Sequence, residues 1–280
     1  MSQPPMGTRF QLGDRVTEEQ RAFLDEHGFL VFDQVVRPEE IARIAEELDR
    51  IEARWRAEGR KWVNGIPVFW GRGPDGRDIV QRFAFTSLFS EAIRELVHDP
   101  RFEPIRQLVG EGTRARIGDR EADGVVVNRY YNVPGSASPR LGWHTDGLRD
   151  LFMGRLPRKM LNVGLHLDDC PADNGGLRLI PGSHRQGWAG FVLRKPYFVD
   201  HRTDPEEICI ETRAGDLTVH DGRLWHRVAR SARTGEASLR RSMYVPYLTG
   251  PFAPKDENSP TPLYHHAGRF LRWARRVTGR

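Results

Sequence analysis

Two residues with metal-binding side chains lie two positions apart in the stretch Leu141-Gly142-Trp143-His144-Thr145-Asp146. In an extended strand, residues i and i+2 point to the same face, so the imidazole of His144 and the carboxylate of Asp146 would lie side by side. With one further imidazole they would form the 2-His-1-carboxylate arrangement that holds Fe(II) and leaves coordination positions open. The pair alone is a weak indication, because His-x-Asp also occurs by chance at the end of a surface strand.

A third ligand would have to come from a distant strand, and several histidines are available. Those in the β-rich part of the chain are His166, His184, His201, His220 and His226. His184 follows Pro-Gly-Ser and is typical of a turn. His220 and His226 lie in one segment, and their spacing does not choose between them. Each histidine, taken singly, fits a hydrogen-bonded structural role.

Arg240 could bind an anion inside the protein. Its planar guanidinium can form two parallel hydrogen bonds to a carboxylate, which suits a dicarboxylate cosubstrate. In Arg240-Arg241-Ser242, the first and third residues share one face of a strand, so the Ser242 hydroxyl could bond the same carboxylate. An arginine in a strand is more often a surface residue, so this feature also needs support from others.

Length and composition indicate a globular protein. The 280 residues are 38% hydrophobic and 29% charged, which excludes a disordered chain and allows a sizeable core. No run of about 18 apolar residues predicts a membrane span, and no secretory signal is recognised. Two cysteines, Cys170 and Cys209, make neither a disulfide framework nor a Cys-rich zinc site. A cytoplasmic location is therefore expected.

The net charge of +5 comes largely from the C-terminus, where a short basic amphipathic helix is predicted. Its arginines are Arg269, Arg272, Arg275, Arg276 and Arg280. The rest of the chain is nearly balanced, so no nucleic-acid partner is expected. The helix could touch an anionic surface, but a solvated terminal helix is the simpler interpretation.

The elements that must position these residues are predicted to form a single domain of three regions. Residues 14–123 are predicted to be a helical support region, with a capping box from Thr17 to Gln20 at its start. Within this region, residues 58–80 are predicted to be a loop. Its aromatic residues could flank a cavity mouth, but a surface hairpin is the favoured interpretation. Residues 124–247 are short strands joined by turns, which favours an all-β core. Residues 248–280 form a C-terminal extension that carries the basic helix.

Taken together, these features resemble the phytanoyl-CoA dioxygenase family of Fe(II)/2-oxoglutarate oxygenases. The matching pieces are Glu26-His27-Gly28-Phe29-Leu30-Val31, His144-Thr145-Asp146, Asn174-Gly175-Gly176-Leu177 running into Pro181-Gly182-Ser183-His184, Gly215-Asp216, His226 and Arg240. Their order and combination are far more specific than any one piece, and they cover most of the chain. The resemblance selects His226 over His220 as third ligand, and Arg240 over Arg241 as the 2-oxoglutarate anchor.

The resemblance implies a mainly β fold with flanking helices, a double-stranded β-helix (a cupin-like jelly roll). It implies that His144, Asp146 and His226 hold Fe(II), and that 2-oxoglutarate and O2 react there to oxidise a small-molecule substrate. Related halogenases carry Gly or Ala where Asp146 stands, so the carboxylate favours hydroxylation, desaturation or ring closure.

Further site residues follow from the resemblance and from strand parity. Asn128 could bond the iron-side carboxylate of 2-oxoglutarate, and Thr145 matches a position that can contact it. Candidate substrate neighbours, for which ordinary packing is an equal alternative, are Trp143, Arg149, Phe152 and His166. Gly164 falls where some relatives carry a cavity Trp, and Val228 where some carry a hydroxyl residue, which implies a roomier pocket.

The functions to be distinguished differ in class. A dioxygenase of natural-product or secondary metabolism is favoured, since no dedicated CoA-binding signature is visible. An acyl-CoA or lipid hydroxylase of the same family is the alternative. A catalytically inactive jelly-roll binding protein would share the fold without retaining iron. Nucleic-acid or membrane binding through the basic tail would not need the metal-site residues at all.

Overall fold

The computed structural model describes residues 4–110, 112–136, 139–153 and 156–262, without the side chains of residues 152 and 153. The α-helices are α1 (Glu18–His27), α2 (Pro38–Ala57), α3 (Glu91–Val97) and α4 (Trp188–Leu193). The 3-10 helices are Thr86–Leu88, Pro100–Gln107, Gly147–Met153, Ala172–Asn174, Ser183–Arg185 and Gly235–Ser238. The strands are β1 (Phe29–Phe32), β2 (Trp62–Val63), β3 (Ile66–Pro67), β4 (Phe69–Arg72), β5 (Asp78–Phe83), β6 (Arg116–Ile117), β7 (Val126–Tyr130), β8 (Leu141–His144), β9 (Met160–His166), β10 (Gly176–Leu179), β11 (Ile208–Ile210), β12 (Leu217–Asp221), β13 (His226–Ala229) and β14 (Arg240–Leu248). The predicted basic helix between residues 269 and 280 lies outside the described residues.

Two antiparallel sheets form the body of the protein. In the described part of the chain, an eight-stranded sheet has the order β1-β12-β9-β14-β7-β5-β4, with β6 beside β14. A four-stranded sheet has the order β11-β10-β13-β8, and β2 and β3 form a two-stranded sheet. The rings of His220 on the large sheet and His226 on the small sheet lie 4.5 Å apart, so the two sheets face each other there.

Alternation along the strands separates the helix-packed face of the large sheet from its inner face. In β14, Met243, Val245 and Tyr247 belong to the hydrophobic core together with Leu48 and Trp55 of α2. The intervening side chains of β14 point the other way, toward the small sheet, because successive strand residues alternate in direction. The helices therefore cover the outside, and the inner face is left for polar residues.

Local sequence signals place the helices that cover the sheet. The predicted capping box is present: the Thr17 hydroxyl accepts from the Gln20 N–H at 3.1 Å, and the Gln20 side chain accepts from the Thr17 N–H at 3.0 Å. Gly28 ends α1 with a φ of 83°, a left-handed conformation that glycine adopts readily. Pro38 begins α2 in its first turn, where a missing N–H has no cost.

The N-terminal region is more than a helical support, because it supplies strands to the large sheet. β1 pairs with β12, and β5 pairs with β7, so the sheet crosses the predicted boundary at residue 124. Residues 58–80, predicted as a loop and preferably a surface hairpin, contain β2, β3 and β4, and β4 forms a hairpin with β5. Among the described residues, no helix is long and apolar enough to cross a membrane.

Candidate metal centre

The two predicted histidine ligands lie opposite each other on neighbouring strands. His144 ends β8 and His226 begins β13, and the antiparallel register pairs the two residues directly. Directly opposed residues on one sheet face bring their side chains together. The two imidazole centroids are accordingly 4.1 Å apart.

Asp146 completes a cluster with these two histidines. One ligand atom from each of His144, Asp146 and His226 lies within 4.8 Å of the others, and all three residues are buried. The Nδ1–H of His144 donates to the Gly142 carbonyl at 2.8 Å, and that of His226 donates to the Leu224 carbonyl at 3.0 Å. Both Nε2 lone pairs are thereby left for a metal. Two neutral imidazoles and a carboxylate fit Fe(II).

Asp146 is held by donors from three sides. The Asn162 amide donates to its Oδ2 at 2.8 Å, and the Nε2–H of His220 donates to the same oxygen at 3.3 Å. Arg149 donates to Oδ1 at 2.9 Å. His220 therefore bonds the carboxylate, whereas His226, which the resemblance selects as third ligand, lies in the cluster with His144 and Asp146.

Burial and charge keep the ligands in their metal-binding protonation states. Burial lowers the pKa of His144 to about 4, with Asp146 opposing the shift. Burial, followed by the neighbouring imidazoles His144 and His220, lowers the pKa of His226 well below its usual value. Burial alone would raise the pKa of Asp146, but Arg149 and the nearby imidazoles lower it well below its usual value. At neutral pH the cluster is two neutral rings and one carboxylate.

Arg149, predicted as a substrate neighbour, is part of an ion-pair chain behind the ligands. Besides Asp146, it contacts Asp123 at 3.4 Å, and Asp123 also pairs with Arg82 at 2.7 Å. Asp123 is 3% exposed, so the chain is largely shielded from water. Arg149 thus orients the carboxylate from the side away from the imidazoles.

Arg240 is a buried cation that fits an anionic cosubstrate. It is 5% exposed, and the ion pairs of the described residues include none to it. Its Nη atoms donate to the carbonyls of Ala229 at 2.8 Å and Pro139 at 3.2 Å. Its buried Nε has no hydrogen-bond partner in the described chain. Burial lowers the pKa of Arg240. Because a buried charge needs a counter-charge, this arrangement suits a carboxylate ligand.

The residues expected beside Arg240 lie on the same inner face. Ser242 is the Cα partner of Asn128 on β7 and of His166 on β9. His166 is buried and its Nε2 lies 3.1 Å from the Thr218 hydroxyl. Asn128, Ser242 and His166 therefore form a row across adjoining strands. Thr145 is fully buried, its hydroxyl has no partner among the described residues, and its carbonyl accepts from Tyr197 at 2.9 Å.

The expectation of extra room at Gly164 is wrong. A Cβ at this position would lie 2.5 Å from Cε1 of Tyr244 and 2.8 Å from Oγ1 of Thr218. The Tyr244 ring on β14 therefore fills the space that a larger side chain would take from β9. Val228 is itself buried on β13, where it pairs with Leu177.

Trp143 lies away from the ligands. It is fully buried with Ile180 and Trp225, and its indole N–H donates to the Arg202 carbonyl at 2.8 Å. It precedes His144, so its side chain takes the opposite face of β8. We do not retain Trp143 as a substrate contact. Phe152 belongs to the 3-10 helix that follows Asp146, and its side chain lies outside the described part of the chain.

Sequence reasoning missed several residues that hold the ligands. Asn162 shares strand parity with His166, which was a usable signal, but nothing local linked it to Asp146. Asp123 and Arg82 are distant in sequence and carry no motif. Phe198 stacks on His144 with centroids 4.7 Å apart, and it lies in a long segment between β10 and β11 that has no recognisable pattern.

Solved structures share this architecture. The chain is similar to the α-ketoglutarate-dependent carbocyclase SnoK from nogalamycin biosynthesis, with a TM-score of 0.61, 19% identity and 94% of each chain covered. It is also similar to the epimerase SnoN in complex with Fe3+, α-ketoglutarate and nogalamycin RO, with a TM-score of 0.58, 21% identity and 85% of each chain covered. These likenesses confirm the jelly-roll fold.

Sequence comparison identifies relatives of this chain and its family. The chain is 29% identical over 181 residues to an ectoine dioxygenase of Streptomyces coelicolor, which spans 62% of this chain and 54% of that relative. The chain thus matches about half the length of this curated relative. The family model described as phytanoyl-CoA dioxygenase (PhyH) matches residues 24–237, which is well over half of the chain and contains all three clustered ligand residues. The protein therefore belongs to the phytanoyl-CoA dioxygenase family.

Proposed function

We propose that the protein is a non-haem Fe(II)/2-oxoglutarate-dependent dioxygenase, with His144, Asp146 and His226 as metal ligands. The observation that carries the proposal is the buried cluster in which ligand atoms of these residues lie within 4.8 Å of one another. Both imidazoles already have Nδ1 bonded to a backbone carbonyl, so no rearrangement of tautomers is needed before a metal binds.

Arg240 is proposed to anchor the far carboxylate of 2-oxoglutarate, with Ser242 on the same face of β14. Asn128 and Thr145 are proposed as further cosubstrate contacts. When bound, the metal and 2-oxoglutarate supply an O2-dependent oxidation that releases succinate and CO2. Asn162 and Arg149 hold Asp146 in place through hydrogen bonds, and the cluster residues and Arg240 are buried.

The proposed substrate is a small molecule, and we favour a natural product. SnoN and SnoK, which share the fold over most of their length, act in nogalamycin biosynthesis as an epimerase and a carbocyclase. Hydroxylation, desaturation and ring closure are all compatible with the retained carboxylate. Acyl-CoA or lipid hydroxylation stays the alternative. Arg149, Phe152 and His166 stay candidates for substrate contacts, and a cytoplasmic location stays a prediction of the sequence.

Turnover of 2-oxoglutarate tests the proposed activity. Succinate release is measured with Fe(II), 2-oxoglutarate and O2 against a panel of glycosylated natural products and acyl-CoA thioesters. The wild-type protein should release succinate only with Fe(II) present, and His144→Ala should abolish the release. His184→Ala is the matched control, since this buried histidine bonds the Asp25 carbonyl at 3.0 Å outside the cluster. If the wild-type protein does not bind iron, a catalytically inactive binding protein is the better account of its function.

A neighbouring pair of arginines tests the cosubstrate anchor separately. Arg240→Ala should weaken 2-oxoglutarate binding by about tenfold to a hundredfold, the effect of losing a hydrogen bond between charged groups. Arg241→Ala should leave binding unchanged, because the Arg241 guanidinium points to the other face and bonds Asp168 at 2.7 and 3.0 Å. Binding is read from the visible charge-transfer absorption that Fe(II) and a 2-oxo acid give together. Equal losses in both variants would contradict the assignment.

A further inference from the structure

The segment Pro196–Arg202, here called the clamp segment, covers the free edge of the metal-ligand strand. β8 is the last strand of the small sheet, so one edge has no strand partner in the described chain. The Phe198 N–H donates to the Trp143 carbonyl at 2.8 Å, and the Trp143 N–H donates to the Asp200 carbonyl at 2.8 Å. Both backbone groups of the residue before His144 are thereby satisfied by the clamp segment.

The close approach of the clamp segment depends on Gly142. A Cβ at Gly142 would overlap with the Phe198 carbonyl, so another residue at this position would push the segment away. On the other side of His144, the Tyr197 hydroxyl donates to the Thr145 carbonyl at 2.9 Å. The residues before and after the ligand are therefore both held by the clamp segment.

Phe198 itself packs on the ligand ring. Its ring is stacked on the His144 imidazole, with centroids 4.7 Å apart and planes 27° apart. Its φ is 60°, in the left-handed region that disfavours a residue with a side chain. Such strain persists where surrounding contacts enforce it, and it is concentrated at functional sites. The bonds to Trp143 and the ring stacking supply those contacts here.

We infer that Phe198 is a positioning residue for the metal ligand His144. This inference rests on the proposed metal site. The Nδ1–H bond to Gly142 sets which nitrogen faces the metal, and the stacked ring fixes the plane in which the imidazole lies. Without the ring, the imidazole would rotate among more orientations and would lose entropy on binding metal. Outer contacts to metal ligands typically change affinity by about tenfold to a hundredfold.

Cobalt binding measures the effect without relying on turnover. Co(II) is titrated into metal-free wild-type protein and variants, and binding is followed by visible absorption. Phe198→Leu keeps apolar cover without an aromatic ring, and Phe198→Gly also relieves the backbone strain. Both should raise the Co(II) Kd by about tenfold or more, whereas Phe198→Tyr should bind like the wild type. Val199→Ala, at a neighbouring side chain that is 46% exposed, is the matched control.

The outcomes separate this inference from the proposed function. If wild-type protein binds Co(II) and either Phe198→Leu or Phe198→Gly binds within twofold of it, the positioning role is overturned and the metal site stands. If wild-type protein binds no Co(II) or Fe(II), the metal site itself is wrong. Should neither variant fold, as judged by thermal unfolding, Phe198→Met takes their place, because it keeps a long apolar side chain without an aromatic ring. It should raise the Kd by about tenfold or more, and an unchanged Kd overturns the inference.

Discussion

His166 allows the electrostatics of the barrel interior to be tested by pH. Burial lowers its pKa to about 4, and the carboxylate of Asp216 opposes the shift. In the unfolded chain a histidine titrates near 6.5. Because the folded pKa is the lower one, the neutral ring contributes stability that is fully present above pH 6.5. That stability is lost as the pH falls toward 4.

The size of the effect follows from these two pKa values. Between pH 7 and pH 5, the unfolded state takes up a proton at this position and the folded state scarcely does. Proton linkage then removes about 2 kcal/mol from the free energy of unfolding over this interval. His166→Asn lacks the titrating ring. Over the same interval, the loss in its free energy of unfolding should be about 2 kcal/mol smaller than the loss in the wild type.

Urea unfolding of the metal-free protein at pH 7 and pH 5 gives the comparison. A chelator is present throughout, so that proton competition with bound metal does not contribute. His166→Gln serves as a second variant, because it removes the ring and retains a longer polar side chain beside Thr218. If wild-type protein and both variants lose the same stability between the two pH values, burial does not hold His166 neutral.

Three further outcomes are expected. The Co(II) affinity of the folded protein should change by less than about threefold between pH 8 and pH 5.5. The reason is that burial lowers the pKa of His144 to about 4 and the pKa of His226 well below its usual value. A fall in affinity of about a hundredfold would mean ordinary pKa values for both rings. Asn162→Leu removes a buried donor to the metal-site carboxylate and should raise the Co(II) Kd by about tenfold to a hundredfold. Gly164→Ala should lower the free energy of unfolding by about 1–3 kcal/mol through overpacking against Tyr244. In a Tyr244→Ala background, the same Gly164→Ala change should cost much less. If the effects of the two substitutions are additive, the contact is contradicted.

Strand existence and parity were readable from sequence, and partner choice was not. Residues 124–247 were predicted as short strands joined by turns, and β7 to β14 begin there, because short apolar runs between turn residues mark strands. The hairpin of β4 and β5 was not predicted as part of the sheet. Its pairing with β7 depends on contacts between segments far apart in sequence, which glycine-rich composition does not reveal.

The room in the pocket could not be judged from one position. Gly164 alone predicts free volume in the pocket, because glycine has no side chain. The register that places Tyr244 opposite Gly164 is set by the pairing of β14 with β9. A large residue on the neighbouring strand therefore replaces the volume that the glycine lacks. A volume estimate from sequence would need that register first.

The choice between His220 and His226 shows what distinguishes a proposed ligand from a histidine that lies beside the cluster. His144 and His226 each donate Nδ1–H to the carbonyl two residues earlier in the sequence, so both leave Nε2 free of that bond. His220 instead uses its Nε2–H on Asp146, so that nitrogen has no lone pair to offer a metal. Spacing along the sequence does not reveal the His220 bond, because His220 and Asp146 are 74 residues apart and meet only where the two sheets face each other. For His220 to replace His226 as a ligand, it would have to give up its bond to the carboxylate and reverse its tautomer.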